Sequence, residues 1–228
     1  VWRFLGVVLS ETCRVGAPGV GGVAEDRSMA DSVIEIRSAR ADEMPIVAAV
    51  LARAFADDPV TRGMLGGAKN QEPLFSAWME RLLPQHHLRR GAIDVAVEDG
   101  TVVGAAAWLA PGELDLSVRE RARIYGPLVP ALGWRIATIF VQEVRDARTH
   151  PSTPHWYLHF MGVTTPGKGI GGMLLDHGID RAGQYPCYLE ATTPGSVRLY
   201  ARKGFVDIGT SAAAGGAEAQ VRMWRSAG

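Results

Sequence analysis

Four glycines crowd into seven residues at Pro166-Gly167-Lys168-Gly169-Ile170-Gly171-Gly172. The segment follows a dense apolar and aromatic run, His155 to Val163, and precedes an amphipathic run, Gly171 to Ala182. The first reads as a buried strand and the second as a helix. A glycine-rich turn between the two lets the backbone reverse sharply and lets a ligand approach it closely. The start of the helix offers N–H groups without intrahelical partners and the positive end of a dipole. Together these predict an anion site, most simply for a phosphate or pyrophosphate.

The rest of the chain frames that turn. Val33 to Arg37 is β-branched and reads as a strand; Asp42 and Pro45 open a helix that carries Met44, Val47, Leu51 and Phe55 on one side. A second helix is expected over Gln71 to Leu88. Ile93–Glu98 and Thr101–Trp108 flank Asp99-Gly100, a dipeptide suited to a two-residue hairpin turn. Pro111-Gly112 breaks the chain before two helical patterns, Val118–Leu132 and Trp134–Arg148. In the second, Ile136, Ile139, Phe140 and Val144 form an apolar stripe. Strands are expected at Cys187–Ala191, Phe205–Gly209 and Gln220–Trp224, with a short helix at Val197–Arg202. This order predicts α+β or a mixed α/β sheet with one core.

Composition narrows the partners. Twenty-four basic residues balance 24 acidic ones in 228 residues, so no net field favours nucleic acid or an anionic membrane. An anion must be held locally. No run approaches the roughly 18 apolar residues of a membrane span. Cys13 and Cys187 cannot form a disulfide framework and suit a reducing, cytoplasmic setting. Residues 1–28 are expected to form a disordered leader, and the initial Val hints at a non-AUG start or a start placed too early. Residues 29–228 then make one domain, with a helical insertion at about 113–150.

Three motifs compete for the glycine turn. Gly167, Gly169 and Gly172 match the spacing of a dinucleotide fingerprint, with Glu190 about 20 residues on. Too little chain follows to build the remainder of such a domain. Gly162 to Lys168 matches the glycine and lysine spacing of a P-loop, but Gly169 stands where Ser or Thr would hold magnesium. The third reading uses more residues. Pro166-Gly167-Lys168-Gly169-Ile170-Gly171, followed by Leu199-Tyr200-Ala201-Arg202-Lys203-Gly204-Phe205, resembles the paired motifs of the GNAT superfamily of acyl-coenzyme A-dependent N-acetyltransferases. Ile36-Arg37 and Ala54 to Pro59 agree with this. Trp156-Tyr157-Leu158, Tyr188-Leu189-Glu190 and the two-helix insertion are similar to the puromycin N-acetyltransferase branch. The resemblance implies a mixed α/β fold, with a largely antiparallel central sheet flanked by helices, the acyl-CoA N-acyltransferase fold. It also implies acetyl-CoA as co-substrate and a small-molecule amine as acceptor, in a monomer or homodimer. Two departures stand out: Pro166 replaces the usual Gln or Arg, and the turn before Gly167 is two residues shorter than in relatives.

The resemblance also assigns roles. Met161, Gly162 and Val163 would pair with the pantetheine arm, while Gly167, Lys168, Gly169, Ile170, Gly171 and Gly172 would hold the pyrophosphate. Tyr200 would protonate the leaving thiolate, since a phenol of pKa about 10 matches that task. Glu190, within an otherwise apolar strand, is the candidate base; the alternative is a strand-end carboxylate facing solvent. His159 is a second candidate. Phe55, Asp58, Trp108 and Trp156 are candidate liners of the acceptor pocket, with core packing as the alternative for each. No metal site is expected: His155 and His159 on a strand would lie ~13 Å apart, and His86 and His87 would point to different faces of a helix. Two other functions fit the same features: a non-catalytic acyl-coenzyme A sensor and a protein-lysine acetyltransferase.

Overall fold

A computed structural model describes residues 33–65, 71–139, 141, 149–212 and 219–228. The leader expectation and most of the Trp134–Arg148 helix, including Phe140 and Val144, lie outside these residues. Seven strands form one sheet: β1 (Ile34–Ser38), β2 (Gly91–Glu98), β3 (Thr101–Leu109), β4 (Trp156–Val163), β5 (Cys187–Ala191), β6 (Val206–Ser211) and β7 (Gln220–Arg225). Their order is β1-β2-β3-β4-β5-β7-β6. Every adjacent pair is antiparallel except β4 and β5. The fold class expected from sequence is therefore the one observed. Among the described residues no helix is long and apolar enough to cross a membrane.

The helices among the described residues include α1 (Met44–Ala54), α2 (Pro59–Leu65), α3 (Gln71–Leu82), α4 (Val118–Tyr125), α5 (Val129–Leu132), α6 (Ile170–Ala182) and α7 (Pro194–Arg202). Local chemistry places their starts. Ser117 and Glu120 form a reciprocal capping box on α4, and Thr193 and Ser196 form one on α7. Asp58 Oδ1 accepts the Thr61 N–H and caps α2. Asp99 and Gly100 hold φ of 50° and 77°, the positive values that a tight hairpin turn demands.

One expected helix is modified. The Gln71–Leu88 pattern continues past α3, but Leu83–His87 forms a π-helical turn. Pro84 lies inside it. Proline has no N–H to give the carbonyl four residues back, and its ring crowds that carbonyl. Widening the turn resolves both problems, and the Leu88 N–H bonds to the Leu83 carbonyl instead. The wider turn carries His86 and His87 into the interior, at 2% and 0% exposure. The expectation that they face apart on a regular helix is thus corrected: their ring centroids are 5.2 Å apart.

Each face of the sheet has its own core. On one, Val47 and Leu51 of α1 and Phe55, its C-cap, meet Phe75 and Met79 of α3 and Phe160 of β4. On the other, Ile170, Leu174 and Leu175 of α6 meet Trp108, Leu158, Met161 and Leu189. Gly178 lets α6 settle on the second face, since a Cβ there would sit 2.4 Å from the Trp108 ring.

Candidate active site

The parallel ladder between β4 and β5 is short. It runs from Trp156↔Cys187 to Leu158↔Leu189 and stops. β4 continues to Val163, still paired with β3 on its other edge. A bulge sits at the point of divergence: Ala107 pairs with Phe160 and Trp108 with Leu158, which leaves His159 as the extra residue. From His159 onward, β4 presents an edge that β5 does not cover. Met161, Gly162 and Val163 lie along that edge. An extended ligand arm can join such an edge by backbone hydrogen bonds.

Beyond the open edge lies the glycine turn. Gly167 and Gly169 adopt φ of 91° and 75°, which side-chain-bearing residues reach only with strain. Gly169 is the N-cap of α6, and the Met173 N–H is bonded to the Gly169 carbonyl. The N–H groups of Ile170, Gly171 and Gly172 precede that first intrahelical bond. Gly167, Gly169, Ile170, Gly171 and Gly172 all line a concavity of about 250 Å³, with Thr165, Leu199 and Arg202. The helix start, the open backbone and the Arg202 guanidinium fit a pyrophosphate. Sequence reasoning missed Arg202. Its signal was its position within Leu199–Phe205, two residues after Tyr200. Lys168 is placed differently from expectation: its ammonium is 2.5 Å from Glu98 Oε1, in an ion pair that points the side chain toward the β2–β3 hairpin.

Tyr200 and Glu190 approach the gap from opposite faces. Tyr200 packs with Met161, Val163 and Leu189 in the core beneath α6. It is completely buried, and its hydroxyl has no hydrogen-bond partner among the described residues. Burial pushes its pKa well above the ordinary tyrosine value. Glu190 is also completely buried, which settles its placement against the solvent-facing alternative. Oε2 accepts from the Tyr157 hydroxyl at 3.1 Å and Oε1 from the Tyr188 hydroxyl at 2.9 Å. Tyr157 and Tyr188 are register partners on β4 and β5, so the carboxylate is clasped where the ladder ends.

His159 shares this face. Its ring stacks on Tyr157 with centroids 5.0 Å apart, and its Nδ1 lies 2.9 Å from His87 Nε2. Both imidazoles are buried, and desolvation pushes both pKa values well below the ordinary histidine value. Asp58 is buried at 1% exposure; desolvation raises its pKa, while the Thr61 amide and the Thr192 and Thr61 hydroxyls oppose that rise. Thr192 follows β5 directly, which brings Asp58 near the Glu190 end of the strand.

Two expected pocket liners are core residues here. Phe55 is fully buried and stacked on Phe75 at 5.3 Å. Trp108 is fully buried under α6, on the face opposite Phe55. A strand-end tryptophan beside a chain break looks like a pocket wall in sequence, but the sheet's alternation turned its ring toward Gly178. Trp156 is half-buried and packs against the second core. Among the described residues no group of three potential metal ligands is assembled.

Residues 67–205 match the model of the Acetyltransferase (GNAT) family. The chain is similar to a solved structure described as histone acetyltransferase HPA2 and related acetyltransferase from Corynebacterium glutamicum. The two are 29% identical, with 86% of this chain and 97% of that chain covered and a TM-score of 0.67. Arylalkylamine N-acetyltransferase 2 from Aedes aegypti shares the fold at 14% identity, covering 86% of this chain and 99% of that one, with a TM-score of 0.58. Drosophila melanogaster polyamine N-acetyltransferase shares it at 18% identity, covering 85% and 100%, with a TM-score of 0.55. The family match spans more than half of the 228 residues and contains both the glycine turn and Tyr200, and the chain belongs to the GNAT family of acetyltransferases.

Proposed function

We propose that the protein transfers the acetyl group of acetyl-CoA to a primary amine of a small molecule, by direct attack within a ternary complex. The observation that carries this reading is the pairing of Glu190 and Tyr200 on opposite faces of the gap between β4 and β5. The ammonium of the acceptor gives a proton to Glu190. The freed nitrogen lone pair attacks the thioester carbon, and a backbone N–H of the open β4 edge polarises the carbonyl. The carbon–sulfur bond then breaks, the Tyr200 hydroxyl protonates the departing thiolate, and the second proton of the former ammonium nitrogen is lost as the amide forms, restoring the phenol. Met161, Gly162 and Val163 hold the pantetheine arm; Gly167, Gly169 and the N–H groups of Ile170 to Gly172, with Arg202, hold the pyrophosphate.

Asp58, beside Thr192, is the candidate contact for a second polar group of the acceptor, with His159 closer to the reacting nitrogen. The resemblance of Trp156-Tyr157-Leu158 and Tyr188-Leu189-Glu190 to the puromycin N-acetyltransferase branch supports an acceptor of the kind that branch modifies. The Drosophila and Aedes neighbours are named for polyamines and arylalkylamines, which makes both amine classes part of a first panel. A cytoplasmic monomer or homodimer completes the reading. Release of free thiol from acetyl-CoA with such a panel tests it, and turnover with none of the amines would count against it.

A second reading, a non-catalytic acyl-coenzyme A sensor, is favoured by two features of the glycine turn. Pro166 replaces the usual polar residue of a shortened turn, and Lys168 is drawn toward Glu98. Calorimetry separates the two: the sensor binds acetyl-CoA and releases no thiol.

A further inference from the structure

The β2–β3 hairpin fastens the glycine turn at three places. The Thr164 N–H and hydroxyl both donate to the Val103 carbonyl, at 2.8 and 3.1 Å. Ile170, the first residue of α6, seats on Gly104, where an added Cβ would lie 3.1 Å from the Ile170 Cγ2. Between these two points the Lys168 ammonium is paired with Glu98 Oε1 at 2.5 Å. Glu98 ends β2 and is the register partner of Thr101 across the Asp99-Gly100 turn. The wall of the concavity from Thr165 to Gly172 is thus held before, within and after its glycines.

Packing does not hold the middle of that wall. An added Cβ at Gly167 or Gly169 would meet no atom within 4 Å. Glycine also has the most backbone freedom to lose. A turn left loose would be ordered only by its ligand, and the cost of that ordering would be subtracted from the affinity. Lys168 does not line the concavity that Gly167 and Gly169 line. Its side chain acts on the shape of the turn, through Glu98.

We infer that Glu98 is a positioning residue for the coenzyme: through Lys168 it stakes the glycine turn in the shape that presents the Ile170 to Gly172 N–H groups to the pyrophosphate. This rests on the acetyl-CoA site proposed above. Its signature is a reversed sign. Glu98 is an anion close to an anion site, so charge repulsion alone makes its removal favourable to binding. Staking makes its removal unfavourable, by roughly 3- to 5-fold, the scale of a partly exposed ion pair.

The test titrates the full chain with acetyl-CoA by calorimetry, as wild type, Glu98→Gln, Lys168→Met and the exchanged pair Glu98→Lys with Lys168→Glu. Glu98→Gln is expected to raise Kd ~3- to 5-fold, with kcat at saturating acetyl-CoA unchanged. Lys168→Met is expected to raise Kd at least as much, since it loses the tether and a local positive charge. The exchanged pair keeps both the tether and the net charge, and its Kd is expected within about twofold of wild type. A second readout needs no ligand: at short labelling times, amide hydrogen exchange over residues 164–172 is expected to be faster in Glu98→Gln than in wild type or the exchanged pair. A Kd in Glu98→Gln equal to or below that of wild type overturns the proposal. So does an exchanged pair that binds as weakly as Lys168→Met, because that marks Lys168 as a direct phosphate contact. Wild type that binds no acetyl-CoA overturns the coenzyme site itself, and the role of Glu98 falls with it. Wild type that shows the expected Kd pattern but acetylates no amine supports the staking and overturns only the transfer step.

Discussion

The Tyr157 hydroxyl donates to Glu190 Oε2 across 3.1 Å, linking β4 to β5 one step beyond their last shared ladder position. The bond does two jobs: it closes the hinge of the cleft and orients the carboxylate. Glu190→Gln separates them. The amide oxygen still accepts from a tyrosine, so the thermal midpoint should stay within a few degrees. The capacity to take a proton is gone, and kcat should fall ~100-fold, in the usual range for a lost general base. Steady-state kinetics at saturating acetyl-CoA beside a melting curve checks both halves.

Tyr200→Phe should give the opposite balance. The hydroxyl is buried with no partner among the described residues, so its removal should leave stability unchanged or slightly raised. In the proposed chemistry it should lower kcat by ~100-fold or more while acetyl-CoA binding changes little. Calorimetric titration with the coenzyme, set beside kcat, decides this; an unaltered kcat removes Tyr200 from the acid role.

Gly167 and Gly169 carry positive φ, and an added Cβ would meet no atom within 4 Å at either. Alanine there is not excluded by space but strains the backbone, by roughly 1–2 kcal/mol per position. The double variant should therefore reshape the helix entrance without touching the chemistry. The dissociation constant for acetyl-CoA should rise at least tenfold, with kcat at saturation within about threefold of wild type.

Stability should depend on pH in a defined window. Burial pushes His86 from its ordinary 6.5 down to about 4, and pushes His87 and His159 well below 6.5 as well. As pH falls below 6.5 the unfolded chain takes up protons that the folded chain refuses, so stability is lost between about 6.5 and 4. Each such group contributes up to about 1.4 kcal/mol per pH unit. Asp58, whose pKa is raised, works against this trend, but one group opposes three. Urea midpoints measured from pH 7 to 4.5 should decline, and His87→Gln should flatten the slope.

Much of this architecture was legible because its signals were local. Alternation and β-branching located the strands to within a residue or two, Asp99-Gly100 located the hairpin, and the glycine cluster put the start of α6 at Gly171, one residue late. The superfamily motifs led to Tyr200, and the isolated carboxylate in an apolar strand led to Glu190. What escaped depended on contacts between distant segments. Hydrophobic period does not reveal a π turn, so His87 was missed although Pro84 inside a helical run was its local trace. Strand alternation alone does not say which face looks toward which helix, so it left open whether Trp108 lines a pocket or packs under α6. The ion pair of Lys168 with Glu98 joins residues 70 positions apart, which no window along the chain could reveal.

The three-position ladder between β4 and β5 has a mechanical meaning. Four strands lie on one side of it and three on the other. The sheet is thus two stiff plates joined by a narrow stitch at Trp156–Leu158 and Cys187–Leu189. Bending strain from anything wedged between the plates concentrates there, next to Tyr157, Tyr188 and Glu190. In the proposed function, an extended ligand bonded along β4 works as a removable strut. Seating it braces the two plates, and releasing it after the reaction leaves them joined through the stitch.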